Sequence, residues 1–278
     1  MIEADFRRMN FHTHTGRCKH AQGKVEDYCR QAVEGTKITR LGFSDHMPFP
    51  GNDFHGDVRM SWEELDDYLD EVIAAREKFR GQLEIFVGLE AEFRPELGPE
   101  FYREEFRERR RLDYLIGGVH FLSPNRPETS LWSREGVFDA ATVRRYVEAT
   151  IELITSGQFD CVAHPDLWAR KTPEWTPEIR AMSKELIEAA RSCNVQLEIN
   201  TYGLRRPLSC FDNPPRPQYP WRPFWELAAE CGARVMIGTD AHLPADVGAG
   251  LDEAMDFAAR CGVVPTLPDF VISRDGLA

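Results

Sequence analysis

Three histidines lie close together near the start of the chain, in the segment NFHTHTGRCKHA over residues 10–21. The whole sequence has only eight histidines. His12 and His14 are two positions apart, a spacing that points both side chains to the same face of a β-strand. Two converging imidazoles can form a pair of metal ligands, whereas burying them without a metal ion would be costly. The segment is therefore a candidate for metal binding.

Seven short apolar or β-branched runs recur along the chain and are typical of β-strands. They are RRMNFH, TRLGFSDH, LEIFVGLE, DYLIGGVH, FDCVAH, VQLEIN and RVMIGTDAH. The longer segments between them repeat their apolar positions at helical spacing. These segments predict helices near residues 24–35, 61–80, 99–110, 139–156, 176–193, 221–232 and 249–262. Seven strand-then-helix units favour an α/β fold with a parallel sheet, formed as one domain over residues 1–278.

The predicted strands end in side chains that can bind metal ions. Because the C-terminal ends of the strands in a parallel barrel meet at one open rim, we expect these side chains to lie together. Seven histidines, one aspartate and one glutamate at corresponding positions favour a shared metal site over nine separate structural roles. Nitrogen and oxygen ligands suit Zn, Mn or Fe, and nine of them could hold two or three divalent ions. The predicted ligands are His12, His14, His20, His46, Glu90, His120, His164, Asp240 and His242.

The composition narrows the class of protein. A formal net charge of −12 works against binding long nucleic acids, whose phosphates require a basic surface. No apolar run approaches the roughly 20 residues that span a membrane, and the N-terminal segment lacks the features of a signal or transit peptide. The seven cysteines form no CxxC pair, which is typical of reduced thiols. We expect a cytoplasmic protein that binds a small molecule and no membrane.

Several motifs occur in a recognisable order: HTHTGRCKHA, FSDH, GLE, IGGVHF, AHPDL, LEINTYGLRRP and GTDAH. Together they resemble the PHP (polymerase and histidinol phosphatase) family of metal-dependent phosphoesterases, and within it the histidinol-phosphate phosphatases. The resemblance implies a distorted (β/α)7 TIM-like barrel with a trinuclear metal centre at the C-terminal rim of the strands. It also implies a phosphomonoesterase of histidine biosynthesis, which hydrolyses L-histidinol phosphate through a hydroxide that bridges two ions.

The resemblance also distributes the ligands among three ions. The first ion is expected to bind His12, His14, Glu90 and Asp240. Glu90 bridges to a second ion, which is completed by His120 and His164. The third ion is expected to bind His20, His46 and His242. Glu92, two residues after Glu90 and on the same strand face, is an alternative bridging ligand.

Substrate contacts are expected mainly in the segment NTYGLRRP, because arginine matches the geometry of phosphate and carboxylate. In the histidinol-phosphate group the arginine after Gly-Leu contacts the substrate, which here is Arg205. Arg206 is either a second contact or a solvent-facing residue. Arg170 and Lys171, which follow the fifth predicted strand, are further candidates for phosphate binding. Asp45 is a candidate general acid for the leaving alcohol, or a residue that orients a histidine ligand.

Two segments of the sequence leave the identity of the substrate undecided. Family members often have Gly-Ser-Val-His where this chain has Gly-Gly-Val-His at 117–120, and the polar segment after His120 lies where the non-phosphate end of a substrate could bind. The alternative is a PHP phosphoesterase acting on another small phosphate ester or on a mono- or oligonucleotide.

Two other classes of protein are disfavoured. A barrel amidohydrolase would use a bridging lysine, and no predicted strand end offers one. An inactive metal-binding protein would be expected to have lost some ligands, whereas the ligand set here is intact. His55, in a Pro/Gly-rich loop, is expected at the surface or as a lid over the rim.

Overall fold

Seven parallel strands follow one another in chain order around a single sheet. The computed structural model of the protein describes residues 5–51, 53, 55–122, 130–132, 136–209, 211 and 214–276. Within them the strands are β1 (Met9–Asn10), β2 (Arg40–Phe43), β3 (Glu84–Ala91), β4 (Tyr114–Gly117), β5 (Cys161–Val162), β6 (Gln196–Asn200) and β7 (Val235–Gly238). Six of them fall inside a predicted apolar run and β3 extends one residue beyond its run, so the predicted parallel α/β barrel is confirmed.

Helices pack around this sheet. The α-helices in the described residues are α1 (Val25–Gly35), α2 (Leu65–Lys78), α3 (Gly98–Tyr102), α4 (Ala140–Thr155), α5 (Pro177–Ser192), α6 (Tyr202–Arg205), α7 (Arg222–Glu230), α8 (Leu251–Cys261) and α9 (Asp269–Arg274). A π-helical stretch, Arg103–Arg109, follows α3 directly. Single 3₁₀ turns occupy Phe6–Arg8, Gly16–Cys18, Trp62–Glu64, Pro95–Leu97, Leu167–Lys171 and Pro244–Asp246. No helix in the described part of the chain is long and apolar enough to cross a membrane.

Helix α5 shows how the sequence sets these elements. The Thr176 side chain accepts a hydrogen bond from the Ile179 backbone N–H at 3.2 Å, which satisfies a free donor of the first turn. Pro177 occupies the first helical position, where it costs no hydrogen bond. An apolar stripe at helical spacing then faces the sheet, made of Ile179, Met182, Leu186, Ile187 and Ala190.

The barrel closes beyond the ends of its first and last strands. Thr13 and Ala241 form a parallel bridge, although β1 ends at Asn10 and β7 ends at Gly238. The His14 backbone N–H donates to the Ala241 carbonyl at 2.9 Å, and the Ala241 N–H donates to the His12 carbonyl at 3.1 Å. The seam of the barrel therefore lies at the level of the predicted metal ligands, which it brings together from opposite ends of the chain.

The short helix α9, which the sequence patterns did not predict, packs against the lower end of the barrel. The ring of Phe270 stacks on Tyr114 with 4.7 Å between ring centroids and meets Phe11 edge-on at 5.1 Å. Its neighbour Val271 is fully buried in the same cluster. Arg274 donates to the Ile85 carbonyl at the start of β3, so α9 lies at the N-terminal ends of the strands. The apolar barrel interior is thus sealed on the side away from the rim.

We expect Phe270→Ala to lower the free energy of unfolding by about 2–3 kcal/mol, because it removes an aromatic ring from a packed cluster. Urea denaturation measures this change. Val264→Ala serves as the control: Val264 is 79% exposed, and its truncation should change stability by less than about 0.5 kcal/mol. Equal effects of the two substitutions would contradict a packing role for α9.

Candidate metal centre

Glu90, the next-to-last residue of β3, lies at the centre of the histidine cluster and is 1% exposed. Its Oε2 atom is 3.4 Å from the Nε2 atoms of both His12 and His14, and 3.1 Å from Nδ1 of His46. The Nε2 atoms of His12 and His14 are themselves only 3.1 Å apart. Asp240 completes this side of the cluster, since its Oδ1 is 3.1 Å from His14 Nε2 and 3.5 Å from His12 Nε2.

The second oxygen of Glu90 faces a different pair of imidazoles. Its Oε1 atom lies 3.3 Å from His120 Nε2 and 3.2 Å from His164 Nε2, and these two nitrogens are 3.2 Å apart. Oε1 is buried and has no hydrogen-bond partner in the described residues, and the same is true of Asp240 Oδ1. Buried carboxylate oxygens without partners, surrounded by converging imidazole nitrogens, fit divalent ions between them. A carboxylate with this arrangement can bridge two ions.

A third group of ligands lies beside these two. Nitrogens of His20, His46 and His242 come within 4.8 Å of one another. Nδ1 of His20 lies 2.7 Å from the Cys18 carbonyl, and Nδ1 of His242 lies 3.1 Å from the Asp240 carbonyl. Because a carbonyl only accepts hydrogen bonds, each Nδ1 carries the proton and each Nε2 keeps a lone pair for a metal ion. His46 also lies close to Glu90 and His120, so it can join either group.

Protonation differs across the cluster. Burial, with the nearby charge of His14, lowers the pKa of His242 to about 3, and the same causes hold the pKa of His46 well below its usual value. Burial also disfavours charge on His120, but Glu90 and Glu92 outweigh it and raise its pKa to about 10. The carboxylates therefore attract positive charge strongly, whether it is supplied by protons or by metal ions.

A cysteine that is not among the predicted ligands lies near the cluster. The Cys18 sulfur comes within 4.8 Å of ligand nitrogens on His14 and His242. Burial raises the pKa of its thiol to about 12, so the sulfur would have to lose its proton to an incoming ion before it could act as a ligand. The remaining donors are imidazoles and carboxylates, a set that suits Zn, Mn or Fe.

The rim also holds a cavity of about 720 Å³, which is lined by all of the predicted metal ligands except His12 and His14. Arg206, Tyr202 and Trp132 form one wall of it, and residues 55–59 form another. This volume lies within the range of about 300–1,000 Å³ that is common for small-molecule sites. The metal cluster and the cavity together form a site for a small ligand that binds metal ions.

Comparison with known proteins identifies the family. The sequence profile of the PHP domain matches residues 10–202, more than two thirds of the chain. The chain belongs to the PHP family. It is a PHP phosphatase, a hydrolase of phosphoric monoesters. The family predicted from the sequence motifs is therefore confirmed.

Two relatives of this PHP phosphatase and one similar structure are named as histidinol phosphatases. A probable histidinol-phosphatase of Deinococcus radiodurans is 32% identical over 241 residues, covering 85% of this chain and 87% of that protein. One from Schizosaccharomyces pombe is 27% identical over 274 residues, covering 91% and 86%. The structure of histidinol phosphate phosphatase from Lactococcus lactis, complexed with zinc, L-histidinol and phosphate, shares the fold with a TM-score of 0.73. It is 17% identical, with 95% of this chain and 98% of that chain covered.

Glu92 of the PHP phosphatase contacts the predicted metal ligand His120 on the side of the ring that faces away from Glu90. Its Oε1 lies 2.8 Å from Nδ1 of His120, and its Oε2 accepts a hydrogen bond of 2.7 Å from Arg59. Glu92 thus fixes the ring whose other nitrogen faces Glu90. This geometry favours Glu90 as the bridging carboxylate and gives Glu92 an orienting role, which commonly strengthens metal binding.

Glu198 on β6 was missed by the sequence patterns. Its Oε1 lies 2.8 Å from Nδ1 of His12, and its Oε2 accepts hydrogen bonds from the His164 backbone N–H at 3.1 Å and from Asn200 at 2.9 Å. A side chain at Gly238 would collide with the Glu198 carboxylate. The available signal was a charged residue inside a fully buried apolar strand, which needs a partner.

Asp45 lies behind the cluster and is fully buried. Its Oδ2 accepts hydrogen bonds from the Thr15 backbone N–H at 3.0 Å and from the Thr15 hydroxyl, and its Oδ1 lies 3.8 Å from Nδ1 of His14. It is not among the residues that line the cavity. Asp45 therefore lies next to the ring of His14 and not of the adjacent His46, at a distance too long for a hydrogen bond. Its role as a general acid or as an orienting residue stays a prediction.

Of the four residues predicted to contact the substrate, only one lines the cavity. Arg206 lines the cavity. Arg205 instead donates to the carbonyls of Thr239 at 2.9 Å and Ala249 at 3.2 Å, so it joins the loops beyond β6 and β7. Arg170 donates to the Leu131 and Trp132 carbonyls, and Lys171 lies 5.7 Å from the ring of Phe138. The substrate roles of Arg205, Arg170 and Lys171 remain predictions without a position on the cavity wall.

The structure adds to the sequence analysis at His55, Asp240, Gly118 and the segment after His120. His55, expected first at the surface, is 4% exposed and lines the cavity. Asp240 and His242 are two positions apart, the spacing of one strand face, but β7 ends at Gly238 and Asp240 has a left-handed φ of 50°. A Cβ on Gly118 would lie 2.7 Å from Glu90 Oε1, so the serine common in relatives has no space here without a shift. The polar segment after His120 is described only in part, since residues 123–129 and 133–135 lie outside the described chain.

Replacing Glu90 by Gln should reduce the metal content per chain, because a neutral amide cannot bridge two cations. Glu92→Gln should keep the metal content at saturation and weaken the affinity by about 10–100-fold. Elemental analysis after dialysis against graded chelator concentrations measures both quantities. If Glu92→Gln loses metal and Glu90→Gln retains it, the two roles are reversed.

Proposed function

We propose that this PHP phosphatase hydrolyses L-histidinol phosphate to L-histidinol and phosphate. The observation that carries the proposal is the Glu90 carboxylate, whose two oxygens face two separate pairs of imidazoles beside a cavity. This arrangement can hold two cations against one phosphate group. The substrate is supported by the two relatives named as probable histidinol-phosphatases and by the Lactococcus lactis structure with bound histidinol and phosphate.

We further propose three ions, each held by one of the three ligand groups. Bound divalent ions supply positive charge for the phosphoryl oxygens and make a water molecule acidic enough to act as the nucleophile near neutral pH. The protein contributes the positions of the ligands, which are fixed from behind by Glu92 and Glu198. This fixed arrangement lowers the cost of reorganising charge during the reaction.

Arg206 is the residue best placed to bind a phosphate oxygen from the protein side. Its Nη1 donates to the Tyr202 hydroxyl at 3.2 Å, and its guanidinium lies 5.7 Å from the centre of a Trp132 ring. These contacts hold the planar group against aromatic surfaces. Its Nε has no hydrogen-bond partner in the described residues, so this edge can donate to an anion.

The proposed reaction is tested by phosphate release from L-histidinol phosphate and from 4-nitrophenyl phosphate at equal enzyme concentration. We expect kcat/KM to favour L-histidinol phosphate by about 100-fold or more, because the proposed site recognises the leaving group of that substrate and not that of 4-nitrophenyl phosphate. Removing metal with a chelator should abolish both activities, and adding Mn or Zn should restore them. Equal slow turnover of both esters would leave a phosphatase whose substrate is another small ester. That outcome would suit relatives known only as probable phosphatases, such as one in Shewanella loihica that is 25% identical.

A second prediction separates the two adjacent arginines. Arg206→Ala should lower kcat/KM for the phosphate ester by about 10–100-fold, the loss typical of a charge-assisted hydrogen bond. Arg205→Ala should lower the thermal stability, since Arg205 joins two loops, and should affect kcat/KM less. Steady-state kinetics and thermal unfolding of both variants measure this. A larger kinetic loss in Arg205→Ala would restore Arg205 as the substrate contact.

A further inference from the structure

The cavity has a second wall whose chemistry differs from that of the metal centre. We call residues 55–59 the rim segment. Arg59 donates to Glu92 at 2.7 Å and lies 3.4 Å from the Asp53 carboxylate. Arg94 donates to the other oxygen of Asp53 at 3.0 Å. Both guanidinium groups are therefore paired with carboxylates of the protein, although the Nε of each has no hydrogen-bond partner in the described residues.

His55 is one of the polar residues on this wall of the cavity. Its ring stacks on Phe121, with 3.5 Å between ring centroids and an interplanar angle of 14°. The side chain is 4% exposed, and its Nε2 is buried without a hydrogen-bond partner in the described residues. A buried polar nitrogen that lacks a partner is unfavourable. Its place on the cavity wall indicates that the partner arrives with the ligand.

Asp57 adds negative charge to the same wall. It lines the cavity, is exposed, and has no ion-pair partner in the part of the chain that the structure describes. Lys19 reaches the rim segment nearby, but its ammonium group donates to the Gly56 carbonyl and not to Asp57. An exposed carboxylate binds a cation weakly, because water and salt screen it. Asp57 can therefore attract a cation, while the buried His55 nitrogen can discriminate more strongly.

We propose that His55 and Asp57 bind the alcohol half of the substrate and select phosphate monoesters of cationic amino alcohols. His55 Nε2 forms a hydrogen bond with a nitrogen of the leaving group, and Asp57 faces its positive charge. The stack on Phe121 holds the imidazole in the orientation that this contact needs. L-histidinol, which carries an amine and an imidazole, belongs to this class. The inference rests on the proposed function, because it requires the phosphate to lie at the metal ions and Arg206.

Two substitutions separate the hydrogen bond from the ring stack. His55→Phe keeps an aromatic ring against Phe121 and removes the nitrogen, whereas His55→Gln keeps a polar group near the position of Nε2 and removes the ring. Asp57→Asn removes the negative charge alone. Arg80→Ala, exposed at the opposite end of the barrel, is the control that should change no substrate preference. Metal content of every variant verifies that the metal centre is intact.

The measured quantity is kcat/KM for L-histidinol phosphate and for phosphoethanolamine, each divided by the value for 4-nitrophenyl phosphate. We expect His55→Phe to lower the ratio for L-histidinol phosphate by about 10–100-fold, which is the loss of a hydrogen bond left unmade in a buried site. His55→Gln should retain part of the preference, and Asp57→Asn should lower both ratios by less than about tenfold.

The outcomes distinguish this inference from the proposed function. If the wild-type enzyme prefers L-histidinol phosphate and His55→Phe keeps the wild-type ratio, the inference is wrong and the function stands. If the wild-type enzyme prefers phosphoethanolamine and His55→Phe loses that preference, the inference stands and L-histidinol phosphate is not the substrate. A wild-type enzyme that prefers neither amino-alcohol ester over 4-nitrophenyl phosphate overturns both.

Discussion

Buried negative charge that only cations can balance is the constraint on which this site depends. Glu90 and Asp240 lie almost entirely out of contact with water, and each has an oxygen without a hydrogen-bond partner in the described residues. An unpaired buried carboxylate costs several kcal/mol, far more than any single hydrogen bond in the site contributes. The imidazoles around it balance its charge only when they are protonated. Divalent ions can do so while leaving the imidazoles neutral, which accounts for the convergence of histidine nitrogens from five loops on so few oxygens.

The barrel brings the predicted ligands together at one rim. Each strand is short, and most ligands lie one to four residues beyond the strand end, where the backbone is free to leave the regular conformation. His164 and Asp240 use this freedom, since both have left-handed φ values of 32° and 50° that are uncommon for residues other than glycine. Such conformations persist when the surrounding structure fixes them and are common at functional sites. Glu198 contributes to that fixation, because it holds His164 through its backbone and His12 through its ring.

Much of this arrangement could be predicted from sequence, because buried parallel strands leave apolar runs and because histidine is rare enough for its positions to stand out. The residues that could not be predicted depend on local geometry. Helix α6 ends at Arg205 and the next residue is extended, so one of two adjacent arginines bonds to loop carbonyls and the other reaches the cavity. The burial of His55 depends on its contact with Phe121, which is 66 residues further along the chain. Helix α9 is too short to show a helical repeat, and its role follows from the open lower end of the barrel that it covers.

The seam between the first and last strands has a consequence for how the protein folds. The hydrogen bonds that close it come from the peptide groups of His12, His14 and Ala241, so the residues that close the barrel are predicted metal ligands or adjoin one. An ion bound there joins residues near position 12 to residues near position 240, a chain separation of more than 200 residues. If the predicted ligands bind an ion, metal loading and barrel closure are thermodynamically linked, and such an ion would act as a cross-link between the two ends of the chain.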